Sequence, residues 1–135
     1  MDTQAITEAA TASLRGTKPF PEIVGNLISA GVEYYHVDYV GRCTQYYDGA
    51  GGRVITTIDF PDLPAIAADF DAGELRAAIL DSQRNGQKFR EFSARAMAAG
   101  VQAYYAFLRG RRVTYLGRSG DQHTEWFPGA EPKKD

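Results

Sequence analysis

The sequence predicts an α+β domain in which two similar αα-ββ(β) halves share one antiparallel sheet, with helices packed on one face of that sheet. Residues 3–49 align with residues 72–118 without a gap, and twelve of the 47 paired positions are identical. In each stretch, apolar residues at helical spacing precede short segments rich in β-branched and aromatic residues, which favour strands. We interpret the repeat as an internal duplication, because neither half alone is long enough to bury a stable core.

Two amphipathic helices are predicted at the start of each half. The first helix begins after Thr3 in one half and after Asp71 in the other, since both residue types accept hydrogen bonds at a helix N-terminus. The second helix carries apolar side chains at i, i+3, i+4, i+7 and i+8 between Phe20 and Ile28. Residues 89–97 repeat this stripe more weakly.

A β-hairpin is predicted after each helix pair. Gly31 and Gly100 end the second helices, because glycine adopts the left-handed conformation without a Cβ penalty. The dipeptides Gly41-Arg42 and Gly110-Arg111 are typical of two-residue turns with glycine first.

Further elements complete each predicted half. Third strands are expected over residues 53–60 and 123–127, where β-branched and aromatic residues recur. A short helical segment is expected over residues 66–70, between the two halves.

Length and composition predict one globular domain over residues 1–135. The two repeats occupy about 3–60 and about 72–128, and residues 129–135 form a frayed tail. Hydrophobic residues make up 44% and charged residues 24% of the chain, which is typical of a folded protein. With a net charge of −2 the chain lacks a basic excess, so nucleic acid is not expected as a partner.

The predicted location is the cytoplasm. The first residues include acidic side chains and no unbroken apolar run, so no signal peptide is expected. No stretch approaches the ~20 apolar residues needed to cross a bilayer, so no membrane contact is expected. The single cysteine, Cys43, excludes an intramolecular disulfide, and no adjacent base marks it as a nucleophile.

The predicted turns also assign side chains to the two faces of the sheet, with Val37 opposite Tyr46 and His36 opposite Tyr47. The face expected under the helices contains Tyr35, Val37, Tyr39, Thr44, Tyr46, Tyr104, Ala106, Leu108, Val113 and Tyr115. The opposite face contains His36, Asp38, Cys43, Gln45, Tyr47, Tyr105, Phe107, Arg109, Thr114 and Leu116.

The second of these faces is the candidate functional surface, because it is too aromatic for a sheet face left in water. An isologous homodimer is the simplest way to cover it. Its expected binding residues are His36, Asp38, Tyr47, Tyr105 and Phe107.

Each of the two histidines precedes an acid by two residues, as His36 precedes Asp38 and His123 precedes Glu125. In a strand, residues i and i+2 point to the same side. If the four side chains converge, they offer ligands for a divalent metal, and a histidine–carboxylate pair can also act as an oriented general base. The alternative is that they are ordinary cross-strand neighbours.

Two glycine-rich segments, "GAGGR" at 49–53 and "GRSGDQ" at 117–122, contain closely spaced glycines. Their backbone N–H groups can cradle an anion. Neither segment precedes a convincing helix or matches a nucleotide-binding fingerprint, so turn formation is the favoured interpretation.

Two longer phrases carry a family resemblance: "FPEIVGNLISAGVEYYHVDYV" near the start and "GRSGDQHTEWFP" near the end. With them, the stretch from about Thr3 to Pro128 resembles the YbcV-like family of small bacterial and prophage proteins. The function of that family is unknown, and its members are sometimes labelled phage envelope proteins. The resemblance implies no catalytic residues, although both His-x-acid pairs lie in the two sequence segments that carry it.

Three functions remain open at this point. The sequence favours a non-enzymatic binding or interaction module that uses the aromatic face and forms an oligomer. One alternative is a metal- or small-molecule-binding enzyme, which requires the two histidines to lie close together, since metal ligands sit only about 2.0–2.2 Å from a shared ion. The other alternative is a phage-derived structural component.

Overall fold

A computed structural model describes residues 1–132 of the chain, so the last three residues of the predicted frayed tail lie outside the described part. Four helices and six strands alternate as two helices and three strands, twice. In chain order they are α1 (Thr3–Arg15), α2 (Phe20–Ser29), β1 (Tyr34–Asp38), β2 (Cys43–Tyr47), β3 (Arg53–Thr57), α3 (Ala72–Asn85), α4 (Phe89–Ala98), β4 (Val101–Phe107), β5 (Arg112–Gly117) and β6 (Gln122–Trp126).

All six strands form one antiparallel sheet in the order β3-β2-β1-β4-β5-β6. The two halves meet at the central pair, β1 and β4, and each half contributes one edge strand. The predicted α+β fold with an antiparallel sheet is therefore confirmed. The internal duplication remains an interpretation of the sequence repeat.

Aspartate caps start the first helix of each half. The Asp2 carboxylate accepts a hydrogen bond from the Ala5 N–H at 3.0 Å, and Asp71 accepts from Glu74 N–H at 3.0 Å. The expectation of Thr3 as the first cap is wrong by one residue, because Thr3 is already helical and the extended backbone of Asp2 aims its carboxylate at the first turn.

The hairpin register differs from the prediction by two residues. Asp38 pairs with Cys43 and His36 pairs with Gln45, rather than with Tyr47. A four-residue loop therefore joins β1 to β2, and a loop of the same length joins β4 to β5. A shift of two residues keeps the strand side chains on their predicted faces, since side chains alternate with period two, whereas Arg109 lies in the loop from β4 to β5 instead of on the outer face.

The side chain of Asp38 caps the first of these loops. Its Oδ1 accepts hydrogen bonds from the N–H groups of Val40 and Gly41, both at 2.9 Å. The left-handed position in each loop is occupied by arginine, with φ of 57° at Arg42 and 58° at Arg111. The prediction of a two-residue turn starting with glycine is wrong in both hairpins: the second loop has Phe107 in place of Asp38, and there the Arg111 N–H donates to the Phe107 carbonyl at 2.7 Å.

The inner face of the sheet packs under the four helices and forms one core with them. Every residue that the sequence placed on the helix-covered face is buried, as predicted. The core includes polar groups, and the Tyr39 hydroxyl donates to Ser93 Oγ at 3.0 Å. Within α2, the apolar stripe is only partly buried, since Phe20 is 51% and Ile28 is 54% exposed.

The segment between the halves has no regular secondary structure where a short helix was predicted over 66–70. Its backbone donates instead to the end of α4, from Ala67 N–H to the Met97 carbonyl at 3.0 Å and from Asp71 N–H to the Ala99 carbonyl at 2.8 Å. These long-range hydrogen bonds replace the local ones that a helix would make.

Two strand boundaries also differ from the prediction. β3 ends at Thr57 rather than at residue 60, and β6 begins one residue earlier than predicted and ends at Trp126. Among the helices of residues 1–132, none combines the length and apolar character that crossing a membrane requires.

Candidate functional site

The outer face of the sheet, opposite the helices, presents three rows of side chains that run across all six strands. The pairing of the strands defines each row in the order β3, β2, β1, β4, β5, β6. The first row is Arg53, Tyr47, Tyr34, Phe107, Arg112 and Trp126. The middle row is Ile55, Gln45, His36, Tyr105, Thr114 and Thr124. The third row is Thr57, Cys43, Asp38, Ala103, Leu116 and Gln122.

Aromatic rings on this face stack against one another from strand to strand. In the first row, the Tyr34 and Tyr47 rings lie 4.8 Å apart at 22°, and Tyr34 and Phe107 lie 6.0 Å apart at 32°. In the middle row, His36 and Tyr105 lie 4.4 Å apart at 11°. The Tyr34–Tyr47 and His36–Tyr105 pairs are stacked, and the Tyr34–Phe107 pair is tilted. Tyr34 therefore has an aromatic neighbour on each adjacent strand, and His36 and Tyr105 each cover one face of the other's ring.

Arginines flank the aromatic side chains at both ends of the first row. The Arg112 guanidinium lies over the Trp126 ring at 4.3 Å from its centroid. At the other end, Arg53 Nη1 donates to Gln45 Oε1 at 3.3 Å, and the Tyr47 hydroxyl donates to the same oxygen at 3.1 Å. The first row is thus held in place by cation–π and hydrogen-bonding contacts.

His36 and Asp38 share the outer face, as predicted, but they have different environments. Burial beside the Tyr105 ring lowers the pKa of His36 from its ordinary value of 6.5, and the Asp38 carboxylate opposes that shift to a smaller extent. Asp38 uses one oxygen to cap the hairpin loop. The five expected binding residues therefore lie together on one surface.

His123 and Glu125 lie on the inner side of β6, because they pair with the buried residues Tyr115 and Val113 of β5. The His123 Nε2 atom is 3.4 Å from Glu125 Oε1, and Arg76 Nε of α3 is 3.7 Å from the same oxygen. This pair joins the edge of the sheet to a helix.

The two His-x-acid pairs do not converge. His36 and His123 lie on opposite faces of the sheet, and their strands are three positions apart, or roughly 14 Å. Among residues 1–132, no group of three or more histidine, cysteine or acidic side chains is placed to hold a metal ion. The four residues proposed as joint metal ligands are therefore two separate pairs.

The loop from β2 to β3 forms a shallow pocket of about 650 Å³ with Tyr34, Tyr47 and Arg53. The Asp48 carboxylate occupies the loop itself, accepting from the N–H groups of Ala50 and Gly52 at 2.8 Å each. These backbone donors lower the pKa of Asp48. The loop holds a carboxylate of its own chain, which agrees with turn formation rather than with an anion cradle.

Nine residues of the three rows escaped the sequence-based assignment, among them Tyr34, Arg53 and Trp126. Alternation could have found Tyr34, which lies two residues before His36 on the same strand. Arg53 and Trp126 belong to the edge strands β3 and β6. Which sheet face their side chains occupy depends on the pairing of these strands with β2 and β5.

The fold and this face define an α+β domain with a helix-backed antiparallel sheet and an open aromatic surface. No family model matches the chain. Over 130 residues it is 28% identical to a protein of Mycobacterium tuberculosis and to one of Mycobacterium bovis, both described as uncharacterised. The similarity covers 96% of this chain and 79% of each relative. These comparisons name no activity and do not test the resemblance to the YbcV-like family, which stays a prediction.

Proposed function

We propose that this protein is a non-enzymatic interaction module that binds another protein through its outer sheet face. The observation that carries the proposal is the aromatic packing across β2, β1 and β4 on the sheet face that the helices leave uncovered. A pre-packed aromatic surface on a helix-backed sheet is rare unless something covers it.

The orientation of the rings favours a protein partner over a nucleic acid or a sugar. Bases and sugars stack on the exposed face of an aromatic ring, whereas Tyr34, His36 and Tyr105 each already pack against another aromatic ring. Ring edges and tyrosine hydroxyls pack well against the mixed apolar and polar surface of a protein, where tyrosine and arginine are enriched. The negative net charge of the chain also disfavours nucleic acid.

The alternative of an enzyme that uses both His-x-acid pairs loses its geometric basis, because the two pairs lie on opposite faces of the sheet. A phage structural role stays a prediction from the resemblance alone.

The single cysteine offers a direct test of whether the outer face is covered in the cell. Cys43 is a free, half-buried thiol in the third row. We expect a cell-permeant maleimide to label Cys43 several-fold more slowly in cells of the source organism than in dilute purified protein, because a bound partner blocks access.

A matched control places the only thiol on the helical side, in the variant Cys43→Ser, Gln83→Cys. Gln83 is an exposed residue of α3, so its labelling should proceed at the same relative rate in both settings. An unchanged ratio of Cys43 to position-83 labelling between cells and dilute protein would contradict the proposed function.

A further inference from the structure

We propose that the partner on the outer face is a second copy of this chain, packed face to face about a twofold axis that crosses the strands along the middle row. This inference rests on the proposed function and identifies its partner. Such an axis superposes each strand on the same strand of the other copy and reverses its direction. The first row of one copy then lies over the third row of the other.

Side-chain size makes the outer face complementary to itself in this arrangement. On β2, β1 and β4, the first row holds the large side chains Tyr47, Tyr34 and Phe107. On the same strands the third row holds Cys43, Asp38 and Ala103. The proposed axis places each large side chain over the small one of the same strand, so that the two faces interdigitate at the density expected of an interface core.

Charge favours the same arrangement. The end of the sheet that carries the first row has four arginines against two acids: Arg53, Arg109, Arg111, Arg112, Glu33 and Asp48. The end that carries the third row has three aspartates against two arginines: Asp38, Asp59, Asp121, Arg42 and Arg118. The proposed axis brings the positive end of each copy over the negative end of the other, which is favourable for association.

A twofold axis parallel to the strands is the competing arrangement. It would place the first row over the first row, so Tyr34 would meet the partner's Phe107 and the two positive ends would face each other. The large side chains of the two first rows would then oppose each other, and a gap would remain between the small side chains of the two third rows. Size and charge both disfavour this arrangement.

The available area predicts a weak dimer. With a strand spacing of about 4.8 Å and a rise of about 3.4 Å per residue, the outer face measures roughly 28 Å by 17 Å. Two such faces bury on the order of 1,000 Å², which is the lower limit for a specific interface. We therefore expect a dissociation constant in the micromolar range.

A double-mutant cycle on β2 tests both the partner and the axis. Cys43→Phe adds a ring to the third row, and Tyr47→Ala removes one from the first row four residues along the same strand. Each change alone should raise the dimer dissociation constant at least about tenfold in sedimentation equilibrium, by a clash or by a cavity. Combined, they exchange the large and small positions, and the dissociation constant should return to within about threefold of wild type.

Independent outcomes overturn each part of the proposal. If the axis is parallel to the strands, Cys43 lies over the partner's Leu116 and Tyr47 over the partner's Arg112, so the two losses multiply instead of cancelling. A wild-type protein that stays at its monomer mass of 14.8 kDa up to about 1 mM would exclude the second copy. Protection of Cys43 in cells would in that case still support a different protein partner.

A charge variant tests the same axis without changing the aromatic rings, so the proposal stays testable if the ring variants misfold. Thr57 is an exposed third-row residue of β3, and the proposed axis places it over the partner's Arg53. Thr57→Glu should tighten the dimer several-fold at low salt, whereas Gln83→Glu on the helical side should leave it unchanged. No effect of Thr57→Glu would contradict the proposed axis.

Discussion

His36 and Tyr105 are direct cross-strand neighbours at the centre of the sheet, with ring centroids 4.4 Å apart and planes within 11°. They are also aligned with each other in the sequence repeat, because they are 69 residues apart and residues 3–49 align with residues 72–118 at that same offset. The sequence repeat and the strand pairing therefore match the same two residues to each other. The two aligned positions carry different residue types, and their side chains stack on each other.

Acid should weaken the fold through His36. Burial lowers the pKa of His36 in the folded state, so the unfolded chain binds this proton more tightly. The contribution to stability is complete above the ordinary pKa of 6.5 and is lost as the pH falls below that value. Urea unfolding of dilute protein at about pH 7.5 and about pH 5.5 measures the loss. The variant His36→Phe keeps a ring against Tyr105 and should lose less unfolding free energy than the wild-type protein on acidification. An equal loss in both proteins would refute this role of His36.

The paired glycines after α2 and α4 should tolerate alanine unequally. Gly31 and Gly100 have φ of 93° and 96°, so alanine costs about 1–2 kcal/mol at either position. A Cβ on Gly100 would also lie 2.5 Å from the Asp69 carbonyl oxygen, whereas on Gly31 its nearest neighbour would be Met1 Cα at 3.4 Å. We expect Gly100→Ala to cost at least about 1 kcal/mol more than Gly31→Ala in urea unfolding. Equal costs would show that the contact at Gly100 relaxes freely.

Glycine should stabilise the first hairpin loop at Arg42. The φ of 57° strains a side chain with a Cβ, so Arg42→Gly should raise the free energy of unfolding by about 0.5–1 kcal/mol, after allowance for the greater freedom of glycine in the unfolded chain. Val40→Gly is the matched control, because Val40 lies in the same loop outside the left-handed region. The control should lower stability. A loss for both variants in thermal unfolding would refute the strain argument.

The buried hydroxyl pair of Tyr39 and Ser93 should behave as one unit. Both residues are almost fully buried, and their oxygen atoms lie 3.0 Å apart. Tyr39→Phe and Ser93→Ala should each cost about 1–2 kcal/mol, because each leaves a buried polar group without its partner. The double variant should cost less than the two single costs together in urea unfolding. Strict additivity would mean that the hydrogen bond contributes nothing to stability.

The sequence predicted the side-chain faces of both hairpins better than their register. Alternation placed Tyr35 and Tyr46 on the inner face, and both are buried there. The register failed because both hairpins have four-residue loops with an arginine in the left-handed position, a conformation that residue spacing does not reveal. Alternation also placed His123 and Glu125 on the same side of their strand. Whether that side belongs to the inner or the outer face of the sheet depends on how β6 pairs with β5.

The sequence by itself determined the succession of helices and strands and the two faces of each hairpin. These features repeat every three to four or every two residues, so short segments contain the necessary information. Only the tertiary structure decided that β1 pairs with β4, that His36 meets Tyr105, and that the two His-x-acid pairs lie on opposite faces. Those outcomes depend on contacts between residues far apart in the chain, whose free energies come from packing in the shared core.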